Sequence, residues 1–334
     1  MNRWLRLTGY AAAGILAIYL VVYASATWLW SDRPPLDELS WQIATSETDS
    51  DGGVTVTWLG ISTLLFDDGE TQILTDATFT RLSLNDFLLY RPVRSDIASI
   101  NYALDEFHID HLAAIIPLHS HFDHAMDVGN VANRTTAVVL GSESTANIAR
   151  GANVPVHQYQ ILASGESRHF GKFTVTLFET VHAPLASGAD SWFPGIIDSP
   201  LLQPARVSAW RGGAVYSLLV SHPNGKTLVQ GSAGISTGLH ASHDADVVML
   251  GVGGLAALGQ EYTEKYWQET VTATGAERVL AIHFDDFTRP FGEVALFPAL
   301  ADDVLKTARW IDEYADRDGI SVQRPPFGLP VKLY

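Results

Sequence analysis

Three histidines and an aspartate fall within six residues of the stretch Ile116-Pro117-Leu118-His119-Ser120-His121-Phe122-Asp123-His124-Ala125-Met126-Asp127. Neutral imidazoles and a carboxylate form a ligand set that suits Zn²⁺, and less often Fe or Mn. His119 and His121 lie two apart on an extended segment, so both side chains point the same way. Asp123 and His124 follow in the turn and can reach a second position nearby. A metal held there can activate water for hydrolysis and polarise a substrate oxygen. The bland alternative is a polar loop that happens to be rich in histidine. Four ligand-type residues at this spacing, directly after an apolar run, disfavour it.

A strand must position these residues. Leu112–Ile116 is short, apolar and β-rich, and the turn after a buried strand is where an open sheet exposes its ligand crevice. Upstream, residues 54–59, 62–66 and 71–75 read as three strands, the last two joined by an Asp67-Asp68-Gly69 hairpin turn. Residues 79–102 read as irregular, with Arg81, Arg91 and Arg94 among aromatics. Downstream, residues 128–134 and 142–150 read as helices with a short strand at 137–140 between them, a βαβ pattern. Residues 173–178 alternate as a strand that runs into His182, and Arg278–Ile282 is an apolar strand that ends at His283. Between them lie a long loop (183–213), a hairpin turning at Pro223-Asn224-Gly225, and a strand at 245–251. The loop carries Trp192, Phe193, Ile196, Ile197, Leu201, Leu202 and Trp210; a loop of that length is usually functional, and its apolar residues suggest a hydrophobic substrate or a membrane-facing lid, or else a minor core. Helices are expected at 263–274 and 301–314.

His-x-His-x-Asp-His after a strand resembles the signature of the metallo-β-lactamase fold, a superfamily of metal-dependent hydrolases. The resemblance covers roughly residues 53–334. It looks closest to the branch holding N-acyl phosphatidylethanolamine-hydrolysing phospholipase D and ascorbate-6-phosphate lactonase. It implies an α/β fold, a four-layer αββα sandwich of two mixed β-sheets, with metals at one edge. It also implies the ligand sets: His119, His121 and His182 for one metal, and Asp123, His124 and His283 for the other. A metal-bound hydroxide would attack an ester, lactone or phosphodiester centre, with Asp123 orienting it while ligating. Leu74-Thr75-Asp76-Ala77 stands where relatives show Leu-Thr-Asp-Pro, so Asp76 is expected to hold a ligand imidazole. Gly60-Ile61-Ser62-Thr63 stands where they often show Gly-His-Ala-Thr.

One departure is informative. Gly231-Ser232-Ala233-Gly234 stands where relatives usually show Gly-Asp-Thr-Gly, whose aspartate bridges the two metals. Serine supplies only a neutral hydroxyl. A unit-charge interaction at about 4 Å is worth about 4 kcal/mol at an effective dielectric of about 20, so occupancy by two metals at once is weakened. Asp244 and Asp246, shortly downstream, are candidates to compensate. Asp285 and Asp286 are candidates to support His283. The other histidines, at 108, 111, 157, 169, 222, 240 and 243, read as structural or surface residues.

Composition narrows the partners. The chain has 334 residues, 47% of them hydrophobic, ample for one large domain or two modest ones. Its net charge of −16 argues against nucleic acid as a partner and against electrostatic adhesion to anionic lipid. There is no cysteine, so thiolate ligands and disulfides are excluded. Residues 1–31 carry Arg3 and Arg6 followed by a long uncharged apolar run, which reads as a transmembrane anchor with the N-terminus inside. Ala24-Ser25-Ala26 supports a competing reading as a cleaved signal peptide. Either way the body, residues 53–334, lies outside the cytoplasm, membrane-anchored in the first case and secreted or periplasmic in the second. Residues 32–52 read as a polar, acidic linker that cannot bury a core. Three functions are consistent with this: an exported hydrolase of a lipophilic ester or phosphodiester, a lactonase acting on a small polar molecule, and a degenerate member that binds without catalysis.

Overall fold

A computed structural model describes residues 3–46 and 53–334, so residues 47–52 of the expected linker lie outside the described residues. Among the described residues the strands build two large mixed sheets. The first runs in the order Pro330–Lys332, Thr55–Trp58, Leu64–Asp67, Gln72–Thr75, Leu112–Ile116, Val138–Gly141, Tyr159–Ile161. The first four strands pair antiparallel, and pairing turns parallel from Gln72–Thr75 onward. The second sheet runs Gln42–Ile43, Ser321–Arg324, Arg278–Ile282, Val247–Gly251, Gly225–Gln230, Val215–His222, Phe173–Thr180, Ser167–Phe170. Its first five strands are parallel and its last pairings antiparallel.

Alternation along the strands makes the layers. Leu64, Phe66 and Ile73 join a core with Phe173, Val175 and Leu218 of the second sheet. Their neighbours Leu65 and Leu74, with Ile115, join a separate outer core with Ala103, Val131 and Ala149 of helices Ile97–Glu106, Val128–Thr135 and Glu143–Gly151. Successive side chains on a strand point to opposite faces, so one apolar-rich strand serves both cores. Helices Gln260–Thr270 and Val304–Asp318 cover the far side of the second sheet, burying Tyr266, Trp267, Val304 and Ile311. The result is the four-layer αββα sandwich.

Several local readings are corrected. The stretch expected to be a linker contributes Leu39, Trp41 and Ala44 to the central core, and Gln42–Ile43 pairs with Ser321–Arg324. Residues 79–102, expected to be irregular, contain helix Leu84–Leu88 behind a Ser83–Asp86 capping box. They also hold the start of helix Ile97–Glu106, capped by the Asp96 carboxylate on the Ala98 amide. In the long loop after His182 the minor-core alternative holds for Ile197 and Trp210, which join the outer core with Val207, while Ala205–Arg206 pairs with Pro92–Val93.

Candidate metal centre

The carboxyl ends of strands from both sheets meet at one edge of the sandwich. Gln72–Thr75 ends at Asp76, Leu112–Ile116 leads to His119, Phe173–Thr180 to His182, Gly225–Gln230 to Ser232 and Arg278–Ile282 to His283. These strand ends, on parallel runs for all but the antiparallel Phe173–Thr180, are fixed by ladder hydrogen bonds while their following turns are free to carry side chains. The turns are held in place by named contacts. The Ser120 amide donates to the Gly212 carbonyl, and the His283 amide to the Ile61 carbonyl, both at 2.9 Å. Ile61 is itself braced: Trp58 Nε1 donates to its carbonyl (2.9 Å) and its amide donates to Asp285 Oδ1 (2.8 Å). Asp76 and His283 adopt left-handed backbone, φ +51° and +57°, a region that a β-carbon disfavours and that persists where surroundings dictate it.

The six residues singled out from the sequence come together as two triplets. In each of His119–His121–His182 and Asp123–His124–His283, one donor atom per residue lies within 4.8 Å of the others. His119 Nε2 and His121 Nδ1 stand 2.9 Å apart. Asp123 Oδ2 lies 3.6 Å from His124 Nε2 and 3.5 Å from His283 Nε2. Donors around a tetrahedral ion with bonds of roughly 2.1 Å stand about 3.4 Å apart, so both triplets fit a first-row metal. Protonation fits as well in the His119–His121–His182 triplet. Burial, with the neighbouring imidazoles, pushes His119 well below its usual pKa and His182 down to about 4. Burial likewise lowers His121. These rings stay neutral at pH 7, the form a metal needs. Burial opposes ionisation of Asp123, but His124 and His283 outweigh it and hold the carboxyl below its usual range.

The surroundings orient these donors. His124 Nδ1 lies 2.7 Å from Asp76 Oδ2 and 3.1 Å from Ser62 Oγ, which assigns its proton to Nδ1 and leaves Nε2 for the metal side. Asp76 Oδ1 accepts from the Leu118 amide at 2.8 Å, so one carboxylate fixes both His124 and the start of the motif. His182 Nδ1 lies 2.7 Å from the Ala183 carbonyl. Gly234 stands so close to Val181 that a β-carbon would fall 1.8 Å from its carbonyl oxygen, so this turn needs glycine to seat His182. Ser62 was not singled out from the sequence; a serine beside a strand end carries no signal until His124 is placed against it.

Ser232 does not lie idle. Its hydroxyl accepts from the Ala183 amide at 3.0 Å, and its carbonyl accepts from Gln230 Nε2 at 2.7 Å. It therefore braces the turn carrying His182. The expected compensation by Asp244 or Asp246 is corrected: Asp244 pairs with Lys226 Nζ at 2.8 Å and Asp246 accepts from the Lys226 amide at 2.7 Å. Both are tied to the start of a strand whose other end leads to Ser232. The support expected from Asp285 and Asp286 is indirect: Asp285 acts through Ile61, and Asp286 pairs with Arg33 at 2.7 Å.

A family model for the Beta-lactamase superfamily domain matches residues 55–283. A stretch of 127 residues is 29% identical to a metal-dependent hydrolase of Heliobacterium modesticaldum, covering 38% of this chain and 44% of that protein. The chain thus matches less than half the length of that relative. Among solved structures, CmlA, a diiron β-hydroxylase from Streptomyces venezuelae, is similar over 84% of this chain and 54% of its own, at 11% identity and a TM-score of 0.51. A metallo hydrolase from the hyperthermophilic archaeon Ignicoccus hospitalis is similar over 84% of this chain and 98% of its own, at 14% identity and a TM-score of 0.47. The family match runs from the first long strand of the sandwich to His283, and the chain belongs to the β-lactamase superfamily, with the metallo-β-lactamase fold.

Proposed function

We propose that this protein is an exported, membrane-anchored, metal-dependent hydrolase of an ester, lactone or phosphodiester bond, with a lipophilic ester or phosphodiester as substrate. The observation that carries the reading is the convergence of six donors into two triplets at one sheet edge. Five imidazoles and one carboxylate favour Zn²⁺, with Fe or Mn as the other fitting metals. Bound there, such metals lower the pKa of a water and polarise the substrate oxygen. The chain's own groups do the rest. Asp123, held ionised beside His124 and His283, is placed to accept a hydrogen bond from the attacking water and orient it. Asp76 and Ser62 keep His124 in one tautomer. The Phe193 carbonyl, 3.2 Å from His121 Nε2, fixes that ring from the loop side.

Two features support a lipophilic substrate and an anchor. Trp192 and Ile196, flanking Phe193, are 76% and 62% exposed, an apolar rim beside the site. The helix Arg3–Ser31 runs unbroken through Ala24-Ser25-Ala26, and within it Tyr10–Ser31 is 22 residues long and apolar enough to cross a bilayer. It contacts the body on both sides of that tripeptide: Tyr23 Oη donates to Asn85 Oδ1, and Trp30 Nε1 to Thr288 Oγ1 at 3.0 Å.

Purified full-length protein is expected to carry a first-row metal, and chelation is expected to abolish hydrolysis of a generic ester or phosphodiester. Elemental analysis and metal titration check this; protein that arrives metal-free and takes up none on titration overturns the reading. Export has its own test. An alkaline phosphatase fusion after residue 40 is expected to be active, and a stably expressed but inactive fusion places the body in the cytoplasm. Mass spectrometry of the N-terminus separates the anchor, with Met1 retained, from a cleaved signal exposing Thr27.

A further inference from the structure

The helix Arg3–Ser31 touches a second apolar segment of the body. Tyr23 meets Asn85 on the short helix Leu84–Leu88. Just after Asn85, Leu88, Leu89 and Tyr90 are 41%, 37% and 49% exposed. These are three consecutive exposed apolar residues, whereas the other large exposed side chains among the described residues of the body, such as Val156, Leu202 and Leu300, do not occur three in a row. Its polar neighbours are arranged in a sense that suits one partner. The Asp86 carboxylate is taken up by the Ser83 amide and hydroxyl, and that of Asp96 by Ala98 and Ser99. Arg91, Arg94 and Arg206 are exposed beside the run, and the Arg206 guanidinium lies 4.3 Å from the Tyr90 ring centroid. Arg91, Arg94 and Arg206 outnumber the hydrogen-bonded but ionised Asp86 and Asp96 around this apolar tip, a local exception on a chain with net charge −16.

Depth along the helix points the same way. Trp28 and Trp30 stand near its C-terminal end, the residue type that settles at headgroup level. Tyr23 is seven residues earlier than Trp30, about 10 Å along the axis at about 1.5 Å per residue. Asn85, bonded to Tyr23, is carried to that depth. Leu88 and Leu89 then reach the boundary between headgroups and acyl chains, with the arginines at the phosphates.

We propose that residues 84–90 form a second membrane contact, inserting Leu88, Leu89 and Tyr90 into the leaflet that the N-terminal helix crosses, with Arg91, Arg94 and Arg206 on lipid phosphates. The proposal rests on the anchored reading above. It fixes which face of the sandwich meets the bilayer. Phe87, on the same short helix, packs on Phe122 at 5.4 Å between ring centroids, and Phe122 sits between His121 and Asp123 in the motif. Phe287 and Phe297 continue that aromatic chain to Trp30. The metal centre is thereby held close to the lipid surface rather than at the far end of the body.

The cysteine-free chain makes the test direct. Single cysteines are placed in the full-length protein at Leu89, at Leu88 as a second position, at Ile18 in the helix, and at Lys172. Lys172 precedes the strand Phe173–Thr180, whose other end leads to His182, so it marks the opposite end of the sandwich. Each variant carries an environment-sensitive fluorophore and is reconstituted in vesicles of phosphatidylcholine and phosphatidylglycerol. Leu89→Cys, Leu88→Cys and Ile18→Cys are expected to show blue-shifted emission and to lose most of it to lipids brominated on the acyl chain, and Lys172→Cys to show neither. If Ile18→Cys is quenched while both leucine positions behave like Lys172→Cys, the second contact is wrong and the anchor stands. If Ile18→Cys is not quenched but the leucine positions are, the anchor fails and the proposal, which places the contact in the leaflet the helix crosses, falls with it. If none is quenched, both fall.

Discussion

Asp76→Ala is expected to weaken metal binding at the Asp123–His124–His283 triplet by about 10–100-fold and to destabilise the metal-free protein by about 3–5 kcal/mol at mildly acidic pH. The Asp76 and His124 side chains are essentially buried, 2.7 Å apart, and Asp76 also holds the Leu118 amide. Removing the carboxylate strands the buried Leu118 amide and leaves His124 Nδ1 only the Ser62 hydroxyl, 3.1 Å away. The pH dependence has a definite sign. Burial disfavours a charged His124, but Asp76 and Asp123 outweigh it and hold its pKa above the ordinary value. A raised histidine pKa contributes stability that is fully present below the unfolded value, near 6.5, and is lost as pH rises through the folded value. The gap between wild type and Asp76→Ala in metal-stripped protein is therefore widest below about pH 6.5 and narrows on the alkaline side. The hydrogen bond from the neutral ring keeps it from closing. With metal present the acid effect reverses, because the ring must give up its Nε2 proton to ligate. Denaturant melts of stripped and loaded protein across that range read both trends. Equal stability of the two proteins below pH 6.5 would show that His124 does not depend on Asp76.

How much of this was legible in the chain follows from the range of each interaction. The central motif declares itself because its ligands lie within six residues and directly follow an apolar strand; Leu112–Ile116 and Arg278–Ile282 keep their expected bounds. His182 and His283 were legible only by resemblance, since a lone histidine after a strand has no local signal. The edge strands Ser321–Arg324 and Pro330–Lys332 are short, and the latter is defined by pairing with Thr55–Trp58 at the other end of the chain. Nothing local marks such a partner. The same holds for Trp41, whose polar surroundings in sequence gave no hint of a place in the core. Residues 84–106 are different. Ser83 with Asp86, and Asp96 ahead of Ile97, are capping signals present in the sequence, outweighed by the aromatic and arginine residues around them. The direction of Ser232 was beyond sequence altogether, because its partner Ala183 belongs to a strand end 49 residues away.

Ser232→Asp is expected to tighten the second metal by about one to two decades, about 1–3 kcal/mol. In the wild type the serine hydroxyl is already engaged by the Ala183 amide. An aspartate can keep that amide on one oxygen and offer the other to the metals. The sign follows from placing one negative charge beside two dications, a Coulomb gain of about 4 kcal/mol at 4 Å and an effective dielectric of about 20. Part of that gain is lost, since position 232 is only 8% exposed and a carboxylate there must be desolvated. Asp244 and Asp246 do not substitute for it, because both are committed to Lys226. Wild type is thus expected to bind one metal tightly and a second weakly, and Ser232→Asp to bind two. Hydrolysis need not rise in step, because tighter charge neutralisation makes the attacking water a poorer nucleophile. Isothermal titration of both metal-stripped proteins reads the difference. Two equally tight sites in wild type, unchanged by the substitution, would mean that Asp123 with the five histidines suffices for a metal pair and that the brace on Ala183 is the whole role of Ser232.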